Sequence, residues 1–239
     1  MLPNDGLRIL KPARFLKQTD EMIQKDLEYL NEKYRPLSPI DRIRELYHDF
    51  NDVLVTSSFG TTSAILLKMV HEANQDQPIH FIDTTFIFRE TQQYKNELKE
   101  LLGLRIIDVK PDPYLNQYTR TRKTWEMDTD TCCAVNKISP IESIKKDYEV
   151  WVSGLMGWQS STRGSKDFFE LKDGIIKFHP IIDMNEREAD LYLYVNDLPE
   201  HPLKKLGYDS VGCTHCTKKG KMREGRWSNE TKTECGLHA

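Results

Sequence analysis

No apolar run in this chain approaches the roughly 20 residues of a membrane-spanning helix. No membrane association is therefore expected. The first residues, MLPNDGLRILKPARFL, lack the long apolar core of a secretory signal, so the expected compartment is the cytoplasm. Positive charge is not in excess either. Lys and Arg total 34 against 37 Asp and Glu, a net charge of −3, so bulk electrostatics gives no argument for nucleic-acid binding. There is no internal repeat and no low-complexity segment. Cysteine is scarce: there are five. In a reducing compartment a clustered set of this kind points to metal or redox work rather than disulfide staples. The 239 residues suffice for one large α/β domain, or one domain with appendages.

The cysteines organise the second half. Cys132 and Cys133 are adjacent, Cys213 and Cys216 form a C-x-x-C, and Cys235 lies near the end. Two pairs make a four-thiolate set, which suits a tetrahedral metal or an iron–sulfur cluster. A tandem pair is an awkward half of a zinc site, and a vicinal disulfide is strained. Adjacent side chains point to opposite faces of a strand but lie about 100° apart on a helix. Cys132 and Cys133 can then share one group only from a helix or a bent turn. The pattern leaves zinc and iron–sulfur both open, and it does not fix the cluster type. Cys235 is left over for chemistry. Basic neighbours favour its thiolate.

The rest of the chain alternates strand and helix. Residues 1 to 50 read as a helical lead-in, with Leu27 and Leu30 in one apolar stripe and Ile43 and Leu46 in a second. Asp52 to Thr56 reads as a buried strand. It runs into Ser57-Ser58-Phe59-Gly60-Thr61-Thr62-Ser63 and a helix from Ala64 to Ala73. A small-residue loop at a helix N-terminus presents backbone N–H groups that can hold phosphate. This loop matches neither G-x-x-x-x-G-K-[ST] nor G-x-G-x-x-G. Further strands are expected at 79–82, 104–109, 149–153 and 175–182, and helices at 90–102, 132–144 and 185–195. Residues 110 to 131 read as an irregular surface loop. The pattern implies an α/β fold: an open, mostly parallel twisted sheet with helices on both faces. The α/β domain is expected over 51–212, with a mobile C-terminal arm over 213–239. Ligands in such sheets sit beyond the C-terminal strand ends. Candidate substrate contacts there are Ser57, Ser58, Phe59, Gly60, Thr61, Ser63, Asp83 and Thr84, with Gln159 and Arg163 after a later strand. Lys137 lies one turn past Cys133. Arg223 and Arg226 sit three apart beside the C-x-x-C, and arginine forks match phosphate and sulfate oxygens.

Together these residues resemble the assimilatory adenylyl-sulfate (APS) and phosphoadenylyl-sulfate (PAPS) reductase family. The matching pieces are SSFGTTS at 57–63, DTTFIFRET at 83–91, CC at 132–133 with Lys137, QSSTR at 159–163, GCTHC at 212–216, REGRW at 223–227 and KTECGLH at 232–238. The last piece is very specific and adds His238 to the candidate contacts. The resemblance implies the subgroup in which Cys132, Cys133, Cys213 and Cys216 carry a [4Fe–4S] cluster, usually with APS as substrate. It also implies attack by Cys235 on the sulfonyl sulfur, loss of AMP and an S-sulfocysteine. Thioredoxin or glutaredoxin then releases sulfite. Where the family usually has two arginines before x-Gln, this chain has Met156-Gly157, which leaves the choice between APS and PAPS open. A PP-loop ATP-pyrophosphatase-like thiolation enzyme and a non-enzymatic nucleotide-binding regulator are the alternatives. The sequence leaves homo-oligomerisation open.

Overall fold

The computed structural model of the chain describes residues 20–227, 232 and 234–237. It opens with α1 (Asp20–Tyr34) and α2 (Pro39–Asp49). The Ser38 side chain accepts from the Asp41 N–H and caps α2, with Pro39 in its first turn, where a missing N–H costs nothing. The apolar stripes of both helices, Leu27, Leu30, Ile43 and Leu46 among them, join the main core. Buried Arg42 ties α2 to the body through two bonds to Asp183, 2.6 and 2.7 Å long. The described part of the lead-in, from residue 20 on, therefore packs onto the α/β body, and residues 1–19 lie outside the described residues.

The described residues form a six-stranded sheet. The strands are β1 (Val53–Ser57), β2 (Ile79–Ile82), β3 (Ile106–Val109), β4 (Val150–Val152), β5 (Phe169–Lys172) and β6 (Ile175–Phe178). Their spatial order is β3-β2-β1-β4-β6-β5. Every pairing is parallel except β5 with β6. Crossover helices α3 (Ser63–Ala73) and α4 (Arg89–Leu102) link the first three strands. β1 and β2 are buried at every position, as strands covered on both faces must be. One face carries the larger core, which includes Val55, Phe81, Phe178 and the inner sides of α1 to α4. The other face is thinner. Leu54, Trp151 and Ile175 pack there under Ile141 and, from the far C-terminus, Leu237. No helix among the described residues is long and apolar enough to cross a membrane.

Four expectations need correction. Residues 110 to 131 are largely helical: α5 (Pro113–Thr121), α6 (Thr124–Met127) and α7 (Thr129–Cys133). Asp112 caps α5 through the Leu115 N–H at 2.9 Å, with Pro113 in the first turn. The helix bearing the paired cysteines starts at Thr129, not Cys132, and widens into a π turn over Ala134–Ile138 before α8 (Ser139–Lys145). The Ser139 N–H reaches back five residues to the Ala134 carbonyl. Pro140 supplies the reason. Its ring has no N–H and would crowd the carbonyl four residues earlier, and a one-residue widening relieves that. The strand expected over 175–182 stops at Phe178, because the Pro180 segment turns. The His179 N–H pairs back with the Phe168 carbonyl at 2.8 Å. That carbonyl precedes β5, the antiparallel edge strand, which the sequence reading missed. Beyond β6 lies α10 (Glu186–Val195), after the short α9 (Ser161–Gly164). Asn185 caps α10, in a reciprocal capping box with Glu188.

Candidate active site

The strand order reverses between β1 and β4, and a cavity of about 310 Å³ opens beyond their C-terminal ends. The loop after β1 forms one wall. Its shape is fixed locally. Phe59 adopts φ +49°, and its N–H donates to Ser57 Oγ at 3.0 Å. Ser63 Oγ donates to the Gly60 carbonyl at 2.8 Å. Ser57, Ser58, Gly60, Thr61 and Ser63 all line the cavity. The Thr61 hydroxyl is committed to the Asp209 carbonyl at 2.7 Å, which ties the loop to the chain leading to Cys213. Phe59 does not line the cavity. Its ring is wholly buried, edge-on to Phe81 at 5.4 Å. Asp83 is also turned away: its carboxylate accepts the Thr85 N–H at 2.9 Å and lies 3.8 Å from Lys110. Thr84 does face the cavity, with Oγ1 3.3 Å from Cys213 Sγ.

Four cationic side chains of the expected set converge on the same space: Lys137, Arg163, Arg223 and Arg226. Lys137 is buried rather than solvated, with Nζ 3.7 Å from Cys133 Sγ. Burial pushes its pKa down, but Cys213, Cys235 and Cys133 more than offset that and hold the ammonium charged. Burial and the charges of Arg163 and Arg226 push Arg223 down to about 10, against the pull of Glu234. Such crowding leaves the cavity ready to accept an anion. Arg226 is placed by its surroundings. It stands 4.6 Å over the Trp227 ring and donates to Ser210 Oγ at 3.3 Å. Its Nε is buried with no partner among the described residues. Gly212 makes the room, since a Cβ there would lie 2.2 Å from Arg226 Nη2. Gln159 donates to Thr62 Oγ1 at 3.2 Å and accepts from Arg163. His238 lies outside the described residues.

Cys213 and Cys235 line the cavity, and Cys132, Cys133 and Cys216 lie behind it, near Cys213. All five are free thiols. Cys132 and Cys213 pack with Phe86. Burial, then the charges of Cys133 and Cys213, push Cys132 up to about 12. Burial and Cys213 push Cys216 up to about 11. Thiols that resist ionising together accept a group that brings positive charge among them. Among the described residues, no three His, Cys, Asp or Glu side chains close on a point that a single metal ion could occupy. Cys235 is half-buried on the arm and lines the cavity.

Sequence reasoning missed several participants. Ser153, at the end of β4, lines the cavity and shares a hydrogen bond with His179 Nδ1 at 2.8 Å. Glu234 accepts from Arg163 at 2.6 Å and from Arg223 at 2.9 Å. Lys177, inside the apolar run Ile175–Phe178, donates to the Leu237 carbonyl at 2.7 Å. A lysine in the middle of a buried strand was the available signal. The described arm residues thus pack on the body.

An open parallel sheet with a cation-lined cavity at its order switch, and a thiol inside that cavity, defines a class: Rossmann-like α/β proteins that hold an anionic ligand beside a cysteine. Comparison with known proteins narrows it. Residues 52–219 match the model of the phosphoadenosine phosphosulfate reductase domain. The adenosine 5'-phosphosulfate reductase of Halalkalibacterium halodurans is 33% identical over 229 residues, covering 92% of this chain and 99% of the relative. That of Mesorhizobium japonicum is 33% identical over 238 residues, covering 95% and 93%. The chain belongs to the phosphoadenosine phosphosulfate reductase family. A crystal structure of phosphoadenylyl-sulfate reductase from Candida auris shares the fold, with TM-score 0.70 and 23% identity over 84% of this chain and 98% of that one. A Candida glabrata FMN adenylyltransferase is a more distant likeness of fold, with TM-score 0.53 and 12% identity over 81% and 73%.

Proposed function

We propose that the chain reduces adenylyl sulfate to sulfite and AMP, with Cys235 as the attacking thiol and a thioredoxin-type dithiol as reductant. One observation carries the reading: Cys235 shares a cavity with Lys137, Arg226 and the nucleotide-sized loop after β1. The loop's backbone groups and the walls from β4 hold the nucleotide. Lys137 and Arg226 hold the phosphate and sulfonate oxygens and offset the charge that builds as the leaving group departs. Cys235 Sγ, as thiolate, attacks the sulfonyl sulfur. The new S–S bond forms as the S–O bond to phosphate breaks, and AMP leaves with that electron pair. A reductant thiolate then attacks Cys235 Sγ and expels sulfite. The resulting mixed disulfide is resolved by the reductant's second thiol, so the dithiol supplies both electrons. The other four cysteines of this chain are committed elsewhere, so an outside thiol is required.

Cys132, Cys133, Cys213 and Cys216 would hold a [4Fe–4S] cluster. Their chemistry fits: three buried thiols and the half-buried Cys216 lie close enough to raise one another's pKa, from two separate stretches of chain. When bound, the cluster would supply a fixed scaffold joining the Cys132–Cys133 helix to the Cys213–Cys216 segment. The reading places the enzyme in the reducing cytoplasm. PAPS is the alternative substrate, because Met156-Gly157 replaces an arginine pair.

The test is sulfite release by purified protein with thioredoxin, offering APS and PAPS separately and counting iron and sulfide on the same sample. Sulfite from APS with about four irons per chain supports the proposal. Protein that is colourless and zinc-loaded, or inert to both nucleotides, overturns it.

A further inference from the structure

Cys235 sits between two anchors, each an uncommon use of a charged side chain. Lys177 is fully enclosed in the middle of β6, at 1% exposure. Its Nζ donates to the Leu237 carbonyl at 2.7 Å and rests 4.8 Å from the Trp151 ring. The carboxylate of Asp173 stays at 3.9 Å. A buried lysine is normally held by a close anion. Here its short contact is one backbone carbonyl, two residues past the reactive thiol. Burial lowers its pKa to about 8 in spite of Asp173.

On the other side stands Glu234, also buried. Its carboxylate accepts from Arg163 Nε at 2.6 Å and Nη2 at 3.1 Å, from Arg223 Nη2 at 2.9 Å and from Ser160 Oγ at 3.3 Å. Between the anchors, Gly236 brings the backbone against Ile138 of the π turn, where a Cβ would lie 2.5 Å from Cδ1. Leu237 then inserts into the core of the thinner sheet face. Residues 234 and 237 are thus both pinned, and Cys235 is confined to the cavity between them.

We propose that Lys177 and Glu234 are positioning residues for Cys235, the first through the Leu237 carbonyl and the second through Arg163 and Arg223. The inference rests on the reading that Cys235 is the attacking thiol. Neither side chain needs to touch the sulfonate. Glu234 shares its arginines with the anion site, so its replacement also alters substrate affinity. Lys177 is separated from that site, and it gives the cleaner test.

The experiment uses the full chain with its native metal content and two variants, Lys177→Met and Gly236→Ala. The second lifts the same segment off Ile138 without touching a buried charge. In resting protein, alkylation of Cys235 by iodoacetamide is followed by peptide mass. Either substitution should speed it about tenfold as the thiol leaves its cover. In turnover, kcat should fall about 10- to 100-fold while KM changes less than about threefold, since misplacement by an ångström costs that much. Thermal melting checks the fold. Should Lys177→Met fail to fold, Gly236→Ala decides alone. Alkylation and kcat both within twofold of the parent in a folded variant overturn the proposal. The alkylation arm needs no substrate. Parent protein that makes no sulfite would therefore defeat the functional reading and leave the clasp tested on its own.

Discussion

Acidification should loosen the segment that leads to Cys213, and His201 sets how much. His201 is fully buried, and its Nδ1 accepts the Leu203 N–H at 3.2 Å. That leaves Nε2–H to donate to Thr91 Oγ1 at 3.1 Å, with the ring edge-on to Tyr94 at 5.0 Å. A second ring proton would meet the Leu203 donor and no acceptor. Burial pushes the pKa from 6.5 down to about 4, although the Glu90 charge opposes it. The unfolded chain therefore binds this proton below about 6.5, and the folded chain only below about 4. Between those values unfolding takes up a proton, so stability falls as pH falls, and the loss levels off below 4. At about 1.4 kcal/mol per pH unit the gap amounts to about 3 kcal/mol. Urea unfolding of the parent and of His201→Asn at pH 7, 6, 5 and 4 measures it. The variant loses hydrogen bonds at pH 7, but its stability should fall less steeply with acid, by about one proton per unfolding event near pH 5. Equal slopes for the two proteins would refute the reasoning.

Three further outcomes follow from the site. Replacing Lys137 by Met removes the buried ammonium beside Cys133. It should cut kcat/KM for APS about 10²- to 10³-fold, as loss of one preorganised charge contact does, and steady-state assays with iron counted in parallel check it. In Gly212→Ala the new methyl displaces the Arg226 guanidinium, the free end of a flexible chain. KM should rise about tenfold, for loss of one charged contact, with the melting temperature nearly unchanged. Gly225→Ala differs, because its Cβ would lie 2.1 Å from the Lys218 carbonyl oxygen, which is backbone. It should cost about 1–3 kcal/mol of stability by urea unfolding.

The parts of this molecule that were legible in the sequence are those where one force dominates. β1, β2 and β4 are short apolar runs that only a buried parallel sheet explains, and each forms. Ser38 with Pro39, and Asn185 with Glu188, are local capping chemistry that marks a helix start. β5 was hidden because Phe169-Glu170-Leu171-Lys172 alternates at an edge and owes its place to pairing with β6. Asp112-Pro113 signalled α5, yet the polarity of the segment read as loop. At the site, residue type located the cations and the cysteines but not their partners. Phe59 and Asp83 sit in the right stretches and point elsewhere, since a turn decides direction and sequence spacing does not. Glu234 and Lys177 went unseen because their meaning depends on contacts 71 and 60 residues away in the chain.

The most direct measurement is a single turnover without any thiol donor. Purified protein is mixed with APS, quenched and digested, and the peptide bearing Cys235 is weighed. The account requires a gain of one sulfonate group on Cys235, with one AMP released per site, and loss of that adduct once thioredoxin is added. Sulfite appearing with no adduct, or an adduct on any other cysteine, would contradict it.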